Sequence, residues 1–308
     1  PRSLWPLRLA YRFDALPDAN CDLMVSAGGK TSFANAWLAA VFQVPNLYAG
    51  SLRGLSARRF SVVLTLEPVA GAAGNLVVPL PPSALESDQV DQLGAAFRQQ
   101  LGSPGQRYWA LLVGGDGAGY RYAMNDWLAL ARLINTLARR HQIRWLLVSS
   151  RRTGRRAETV LSEQVEAACI GRVCWYRDED EYRAEAWLGA AERIFVTEDS
   201  MTMLTEAACA RRPVHSLRPA TAVPEPRYDQ ALERFAEAAR PGVHCWDAAS
   251  AAEEVLRRQG CFWGRSKYSL DLRPQTIPTT LERRFVEDDI LLFELVYTGP
   301  LGYWEEMT

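Results

Sequence analysis

This sequence of 308 residues lacks the charge imbalance that marks many nucleic-acid-binding proteins. Lysine occurs only at Lys30 and Lys267, so nearly all of the 35 basic residues are arginine. The 36 acidic residues bring the formal net charge to −1, and there is no long basic run. The overall charge therefore gives no electrostatic argument for a nucleic-acid partner, and we expect none.

The sequence also lacks paired cysteines and membrane-length apolar runs. Its cysteines have no CxxC spacing, which argues against a zinc site, and several lie in apolar segments typical of reduced core thiols. They are Cys21, Cys169, Cys174, Cys209, Cys245 and Cys261. No signal peptide or membrane-spanning segment is evident. We expect a cytoplasmic protein without a bound metal, and the sequence leaves open a peripheral location at the inner face of the membrane.

From about residue 108 to residue 260, short apolar strands alternate with amphipathic helices. The predicted strands are 109–113, 144–149, 172–176, 193–197, 213–217 and 243–246, and the predicted helices are 125–140, 156–169, 182–191, 200–210, 228–239 and 248–259. This alternation is typical of a parallel sheet with helices on both faces. In such a sheet, ligands bind at the carboxyl ends of the strands.

The first hundred residues also predict an α/β domain. Strands are expected at 21–26, 46–49, 61–66 and 75–78, and helices at 33–42 and 88–101. The segment Gly102–Gly105 is the best linker in the chain. After Gly260 the alternation stops and a last helix is predicted at 281–297. We therefore predict an N-terminal domain at 1–105, a second domain at 106–268, and a terminal helix and tail at 269–308.

A glycine-rich loop follows the predicted strand 109–113. It contains Gly114, Gly115, Gly117 and Gly119, which allow a close approach of the backbone to a ligand. Counted from Gly115 and Gly117, the third position of the dinucleotide fingerprint is Tyr120, which disfavours a nicotinamide-dependent oxidoreductase.

A second polar turn follows the predicted strand 193–197. A helix is predicted to begin at Ser200, with Asp199 or Ser200 as its cap. A helix N-terminus at the end of a buried strand presents unpaired N–H groups and the positive end of the helix dipole, which suit a phosphate. The alternative is an ordinary capped helix without a ligand.

Two further segments are candidate anion sites. Arg151, Arg152 and Thr153 follow the predicted strand 144–149, where basic side chains either contact a phosphate or lie in a solvated loop. The run Gly28-Gly29-Lys30-Thr31 contains the Gly-Lys-Thr of a P-loop, but Met24 stands where that motif requires its first glycine. We therefore exclude a P-loop and retain an anion-binding turn over these four residues.

Four motifs together resemble one known family. They are Ser26–Ser32, Gly114–Gly119, Ser149–Gly154 and Val196–Ala207. In this order they are similar to the elongated-mitochondria family, which comprises bacterial proteins and plant mitochondrial fission factors classed as glycosyltransferases. The resemblance implies a GT-B-like α/β fold, in which two Rossmann-like domains face a cleft and a C-terminal helix crosses back to the first domain.

The resemblance also implies a function and a set of roles. A nucleotide-diphosphate sugar would be the donor, and an unidentified acceptor, such as a cell-envelope glycan or lipid, would receive the sugar. Ser200 and Thr202 would hold the pyrophosphate, Glu206 would bind the ribose, and Arg151, Arg152 and Lys30 are candidate phosphate partners. No cofactor or metal is implied. Asp116 is the best remaining candidate for the base. The alternative is a non-catalytic scaffold of the same fold, and the oligomeric state is not predicted.

Overall fold

The computed structural model describes residues 23–28, 31–69, 74–78, 81, 83, 85, 89–178, 182–219, 222–238 and 295–296. Their contacts group these residues into two compact units, one up to residue 81 and one from residue 83 onward. The predicted strand 243–246, the predicted helix 248–259 and the residues Gly29 and Lys30 lie outside the described part of the chain.

The first unit contains a four-stranded parallel sheet in the sequential order β1-β2-β3-β4. The strands are β1 (Met24–Ala27), β2 (Asn46–Ala49), β3 (Val62–Thr65) and β4 (Asn75–Val77), and helix α1 (Thr31–Phe42) follows β1. Buried polar groups tie this helix to the sheet. Asn46 donates from Nδ2 to Asn35 Oδ1 at 2.8 Å, and Asn35 donates to the Leu47 carbonyl at 3.0 Å.

The second unit contains a six-stranded parallel sheet in the order β10-β9-β8-β5-β6-β7. Its strands are β5 (Arg107–Val113), β6 (Ile143–Ser149), β7 (Ile170–Cys174), β8 (Ile194–Thr197), β9 (Val214–Leu217) and β10 (Leu295–Val296). Its helices are α2 (Val90–Gln100), α3 (Met124–His141), α4 (Gly154–Gln164), α5 (Ala184–Ala190), α6 (Met201–Cys209) and α7 (Pro226–Ala238).

The central strands of this sheet are buried along almost their whole length, as expected for a parallel sheet covered on both faces. Aromatic side chains fill part of the core: Trp109 stacks on Phe195 at 5.4 Å between ring centroids and meets Trp145 edge-on at 5.8 Å. The cysteines among the described residues, Cys169, Cys174 and Cys209, are buried thiols that form no disulfide with one another, as predicted for core thiols.

Helix α2 belongs to the second unit, so the division between the units lies near residue 82 and not at the predicted boundary of 105. The physical reason is its packing on α5. Gly94 lies so close to Gly189 that a Cβ atom on Gly94 would come within 2.2 Å of the Gly189 carbonyl carbon. Phe97 and Trp187 also pack, with ring centroids 5.2 Å apart. The segment Gly102–Gly105 is therefore a turn inside the second unit.

Two predicted helices differ from the structure. The helix predicted at 156–169 ends at Gln164 because Asn135 binds its end: the Asn135 side chain donates to the Gln164 carbonyl and accepts from the Glu166 N–H, both at 2.9 Å. The helix predicted at 281–297 lies outside the described residues except for Leu295 and Val296, which form a strand paired with β9.

Candidate functional site

The loops that follow β5, β6 and β8 meet at the carboxyl edge of the second sheet, and Asp199 joins them. Its Oδ2 accepts from the Gly115 N–H at 3.0 Å and lies 2.9 Å from Arg152 Nη2, while its Oδ1 accepts from the Tyr122 hydroxyl at 2.9 Å. The Asp199 side chain is fully buried. Burial raises its pKa, and the Gly115 N–H and Arg152 oppose this rise.

The glycine loop is held by two further hydroxyl groups. The Gly114 N–H donates to Thr197 Oγ1 at 2.6 Å, and Thr153 Oγ1 donates to the carbonyls of Val113 and Gly114 at 2.8 and 2.6 Å. Thr153 is therefore a buried tie between the loops after β5 and β6. These contacts give it a structural role, and its predicted role in ligand binding stays a prediction.

The amides of the glycine loop are largely bonded within the protein. The Gly115 N–H is taken by Asp199, and the Gly117 N–H donates to the Tyr120 carbonyl at 3.2 Å. Glycine is needed here for packing: a Cβ atom on Gly115 would lie 2.0 Å from the Arg152 carbonyl oxygen, and one on Gly119 would lie 2.4 Å from the Glu225 nitrogen. Whether Gly115, Gly117 and Gly119 also approach a ligand stays a prediction.

The start of α6 differs from the predicted cap. Ser200 occupies the N-cap position, but its side chain makes no capping hydrogen bond, and the Asp199 carboxylate binds the Gly115 N–H instead. Ser200 therefore holds the predicted cap position without a side-chain cap, and Asp199 does not cap the helix because the glycine loop and Arg152 bind its carboxylate. We call Asp199 with its partners Gly115 and Arg152 the Asp199 cluster. The first turn of α6 follows directly after this cluster and contains the exposed Thr202.

The two arginines predicted for this site, Arg151 and Arg152, lie in different environments. Arg152 donates from Nη2 to the Asp199 carbonyl at 3.2 Å in addition to its ion pair with the Asp199 carboxylate, so it lies beside the start of α6. Arg151 is exposed. Of the two, Arg152 is thus the one that the structure brings to the Asp199 cluster.

Glu206 lies on α6, partly buried, and its carboxyl is perturbed. Burial and the neighbouring carboxylate of Glu185 raise the pKa of Glu206 to about 7. Tyr182 is also close: Glu206 and Glu185 help burial to raise the pKa of its phenol, and its buried hydroxyl has no hydrogen-bond partner among the described residues. These three side chains form a cluster rich in hydrogen-bond acceptors at partly buried positions.

Asp116 has a local structural contact. Its Oδ1 accepts from the Tyr122 N–H at 2.9 Å, and its Oδ2 lies 4.0 Å from Arg121 Nη1. Its side chain is 55% exposed. These contacts hold the turn after the glycine loop, and its role as a base stays a prediction.

Sequence reasoning did not single out a second buried cluster next to Asp199. Glu198 accepts from the Tyr120 hydroxyl at 2.6 Å and pairs with Arg218, and the Tyr228 hydroxyl donates to the Glu198 carbonyl at 2.8 Å. Burial raises the pKa of Glu198. A glutamate directly after a buried strand was the available signal, whereas its partners are separated from it in the sequence.

The predicted anion-binding turn in the first unit is described only in part. Gly28 has a φ of +55°, a conformation that favours glycine, and Thr31 Oγ1 donates to the Gly28 carbonyl at 2.9 Å. Within the described part of the chain, no three His, Cys, Asp or Glu side chains are grouped as a metal site requires. No described helix is long and apolar enough to cross a bilayer.

Each of the two units is a parallel α/β unit of the Rossmann-like type, with the candidate site at the carboxyl edge of the second sheet. This confirms the predicted fold class of two Rossmann-like domains. Residues 70–258, more than half of the chain, match the family described as Mitochondrial fission ELM1. The chain belongs to this family, which confirms the resemblance found in its motifs. No curated protein matches the chain significantly.

Several solved glycosyltransferase structures are similar to the chain at low identity. MurG of Acinetobacter baumannii is 14% identical, with a TM-score of 0.38, over 70% of this chain and 57% of MurG. Anabaena Alr3699/HepE, solved with UDP and glucose, is 14% identical, with a TM-score of 0.42, over 78% and 74% of the two chains. E. coli ADP-heptose LPS heptosyltransferase II is 14% identical, with a TM-score of 0.44, over 65% and 63%. The chain thus spans less than two thirds of MurG and of the heptosyltransferase.

Proposed function

We propose that this protein is a GT-B-type glycosyltransferase that takes a sugar from a nucleotide-diphosphate sugar and transfers it to an acceptor. The observation that carries the proposal is the partly buried Glu206 carboxyl on α6, the helix that begins beside Arg152 at the carboxyl edge of the sheet. One helix would thus offer a phosphate contact at its start and a hydroxyl contact one turn further on.

The diphosphate would bind at the start of α6. No side chain of Asp199 or Ser200 caps this helix, so its first-turn amides and the Thr202 hydroxyl suit an anion. Arg152 already lies against the Asp199 backbone there. Its charge is partly balanced by the buried Asp199 carboxylate, which holds its guanidinium in position for a phosphate. The leaving nucleoside diphosphate would be stabilised by these groups without a metal.

The ribose would bind at Glu206. The Glu206 carboxylate accepts no hydrogen bond from the residues that the structure describes, and the vicinal hydroxyls of a ribose would supply donors for it. A second phosphate would not fit here, because Glu206 and Glu185 would repel it. The order of the two contacts along α6 therefore matches a nucleoside diphosphate, with phosphate first and sugar second.

The alternative is a non-catalytic binding or scaffold protein of the same fold, and one observation favours it. The acidic side chains beside the start of α6 are engaged: Asp199 and Glu198 are buried in hydrogen bonds, and Asp116 holds the turn at Tyr122. All three carboxylates thus already accept a hydrogen bond from the protein, and Asp199 and Glu198 are also buried. A base for the acceptor would then have to come from elsewhere in the chain.

A thermal-shift screen followed by a donor-hydrolysis assay separates these functions. The screen would compare nucleoside diphosphates, nucleotide sugars including UDP-glucose, and NAD(P). A glycosyltransferase is expected to be stabilised by one nucleotide sugar and its diphosphate, and to release the diphosphate slowly in the absence of an acceptor. Stabilisation without release in the presence of candidate acceptors would favour the scaffold. Stabilisation by NAD(P) alone would contradict the proposal.

A further inference from the structure

Unpaired arginines are concentrated on the surface at the start of α4. Arg151, Arg155 and Arg156 are exposed, and their guanidinium groups make no ion pair or hydrogen bond with the residues that the structure describes. Arg152, between them in the sequence, is bonded to Asp199 instead. Because the whole chain has a net charge of −1, this positive charge is local and not a general property of the surface.

An exposed aromatic side chain adjoins these arginines. Arg177 packs on α4, with its Nε 3.6 Å from Glu158 Oε2 and its Nη1 donating to Thr159 Oγ1 at 3.5 Å. Thr159 lies one helical turn after Arg155 on the same face of α4. The neighbour of Arg177, Tyr176, is 56% exposed. We call this surface the α4 patch, and it consists of Arg151, Arg155, Arg156, Tyr176 and Arg177.

Arg155 and Arg156, the two arginines of the α4 patch in the first turn of α4, do not stabilise this helix. The first turn of α4 contains no acidic residue, and basic side chains at the N-terminus of a helix are opposed by the helix dipole. Among the residues that the structure describes, the carboxylates in contact with the patch are Glu158 and Asp178, and both lie against Arg177 and not against the three unpaired arginines. The arrangement thus favours an external anionic partner over a role in folding.

We propose that the α4 patch docks the protein on an anionic lipid bilayer. Arginine side chains are attracted to acidic headgroups, and a tyrosine with a polar tip suits the headgroup region of a bilayer. A nucleic acid fits less well, because proteins that bind it commonly neutralise about 6–10 phosphates, whereas this patch offers three unpaired arginines. This proposal stands on the α4 patch and is independent of the proposed donor site.

Vesicle sedimentation tests the proposal with a charge-matched control. The parent is expected to bind vesicles of phosphatidylcholine and phosphatidylglycerol and not those of phosphatidylcholine alone. The R155Q/R156Q variant is expected to bind about 30-fold more weakly, since each arginine near an acidic surface contributes about fivefold. The control, R132Q/R144Q, removes two exposed arginines from other surfaces of the same unit and should bind as the parent does.

Three results would overturn the proposal. In the first, the parent binds both kinds of vesicle equally or binds neither. In the second, the two double variants lose the same amount of binding to the acidic vesicles. In the third, the protein binds an RNA oligonucleotide through Arg155 and Arg156 but does not bind vesicles. Thermal unfolding of both double variants shows whether they fold as the parent does. If R155Q/R156Q is unfolded, Y176S, which changes only the exposed aromatic, is the second variant and should also weaken binding to the acidic vesicles.

Discussion

The raised pKa of Glu206 makes a specific contribution to the pH dependence of the stability of this protein. Burial and Glu185 raise it from the ordinary value of 4.5 to about 7. The folded state thus holds this proton more tightly than the unfolded chain does, so the contribution of Glu206 to stability falls as the pH rises from 4.5 to about 7. At about 1.4 kcal/mol per pKa unit, the loss above this range is up to about 3 kcal/mol.

Glu206→Gln removes this effect, because glutamine resembles the protonated acid and does not ionise. Urea unfolding should show that the variant is more stable than the parent above pH 7 and equally stable below pH 4.5. The control is Glu163→Gln, which changes an exposed glutamate on α4 and should leave the pH profile of the parent unchanged. If Glu206→Gln keeps the pH profile of the parent, Glu206 does not have the raised pKa described here.

The same carboxyl links pH to ligand binding under the proposed function. Ribose hydroxyls donate to the ionised form of Glu206, so a bound nucleotide should lower its pKa. Calorimetry should therefore show that the affinity for a nucleoside diphosphate increases as the pH rises to about 7 and then levels off. The Glu206→Gln variant should lack this dependence. An affinity that falls over this range would contradict the ribose contact.

Three further variants test a buried histidine, the packing of two helices and the hydrogen bonds of Asp199. Burial and Arg193 lower the pKa of His215 from 6.5 to about 4, so stability should fall as the pH decreases through this range, and urea unfolding of His215→Gln should show a smaller loss than the parent. Gly94→Ala should lower the melting temperature, because the added Cβ meets the Gly189 backbone; overpacking costs about 1–3 kcal/mol and outweighs a helix-propensity gain of about 1 kcal/mol. A rise would refute this packing. Asp199→Ala should cost about 1–3 kcal/mol in urea unfolding because it leaves the buried Gly115 N–H without its acceptor, and an unchanged stability would contradict the network.

The strands of the fold could be predicted because their signal is local. Fully buried parallel strands are short apolar runs, so β2 was predicted with its observed bounds and β5 within two residues at one end. The end of α4 could not be predicted in this way. It depends on Asn135, which lies 29 residues from Gln164 in the sequence. The domain boundary was also missed, because the packing of Gly94 on Gly189 leaves no local pattern.

The sequence predicted the location of the candidate site but not most of the contacts within it. The topology of a parallel sheet brings the loops after β5, β6 and β8 to one edge, and the structure joins them through Asp199. Local capping rules assigned Asp199 to its own helix. These rules consider only neighbouring residues in the sequence. The glycine-loop amide and the arginine that bind the Asp199 carboxylate instead follow other strands, so the rules could not identify them.

The most direct test of the proposed function compares two ligands in three proteins by calorimetry. UDP, as a first nucleoside diphosphate, and pyrophosphate would be titrated into the parent, Glu206→Ala and the exposed control Glu163→Ala. The ribose contact predicts that Glu206→Ala weakens the diphosphate about tenfold to a hundredfold, because a hydrogen bond to a charged group is worth about 1.5–3 kcal/mol, while pyrophosphate binding is unchanged. The control should match the parent for both ligands. If no nucleoside diphosphate binds the parent, or if Glu206→Ala binds the diphosphate as the parent does, the proposed donor site is wrong.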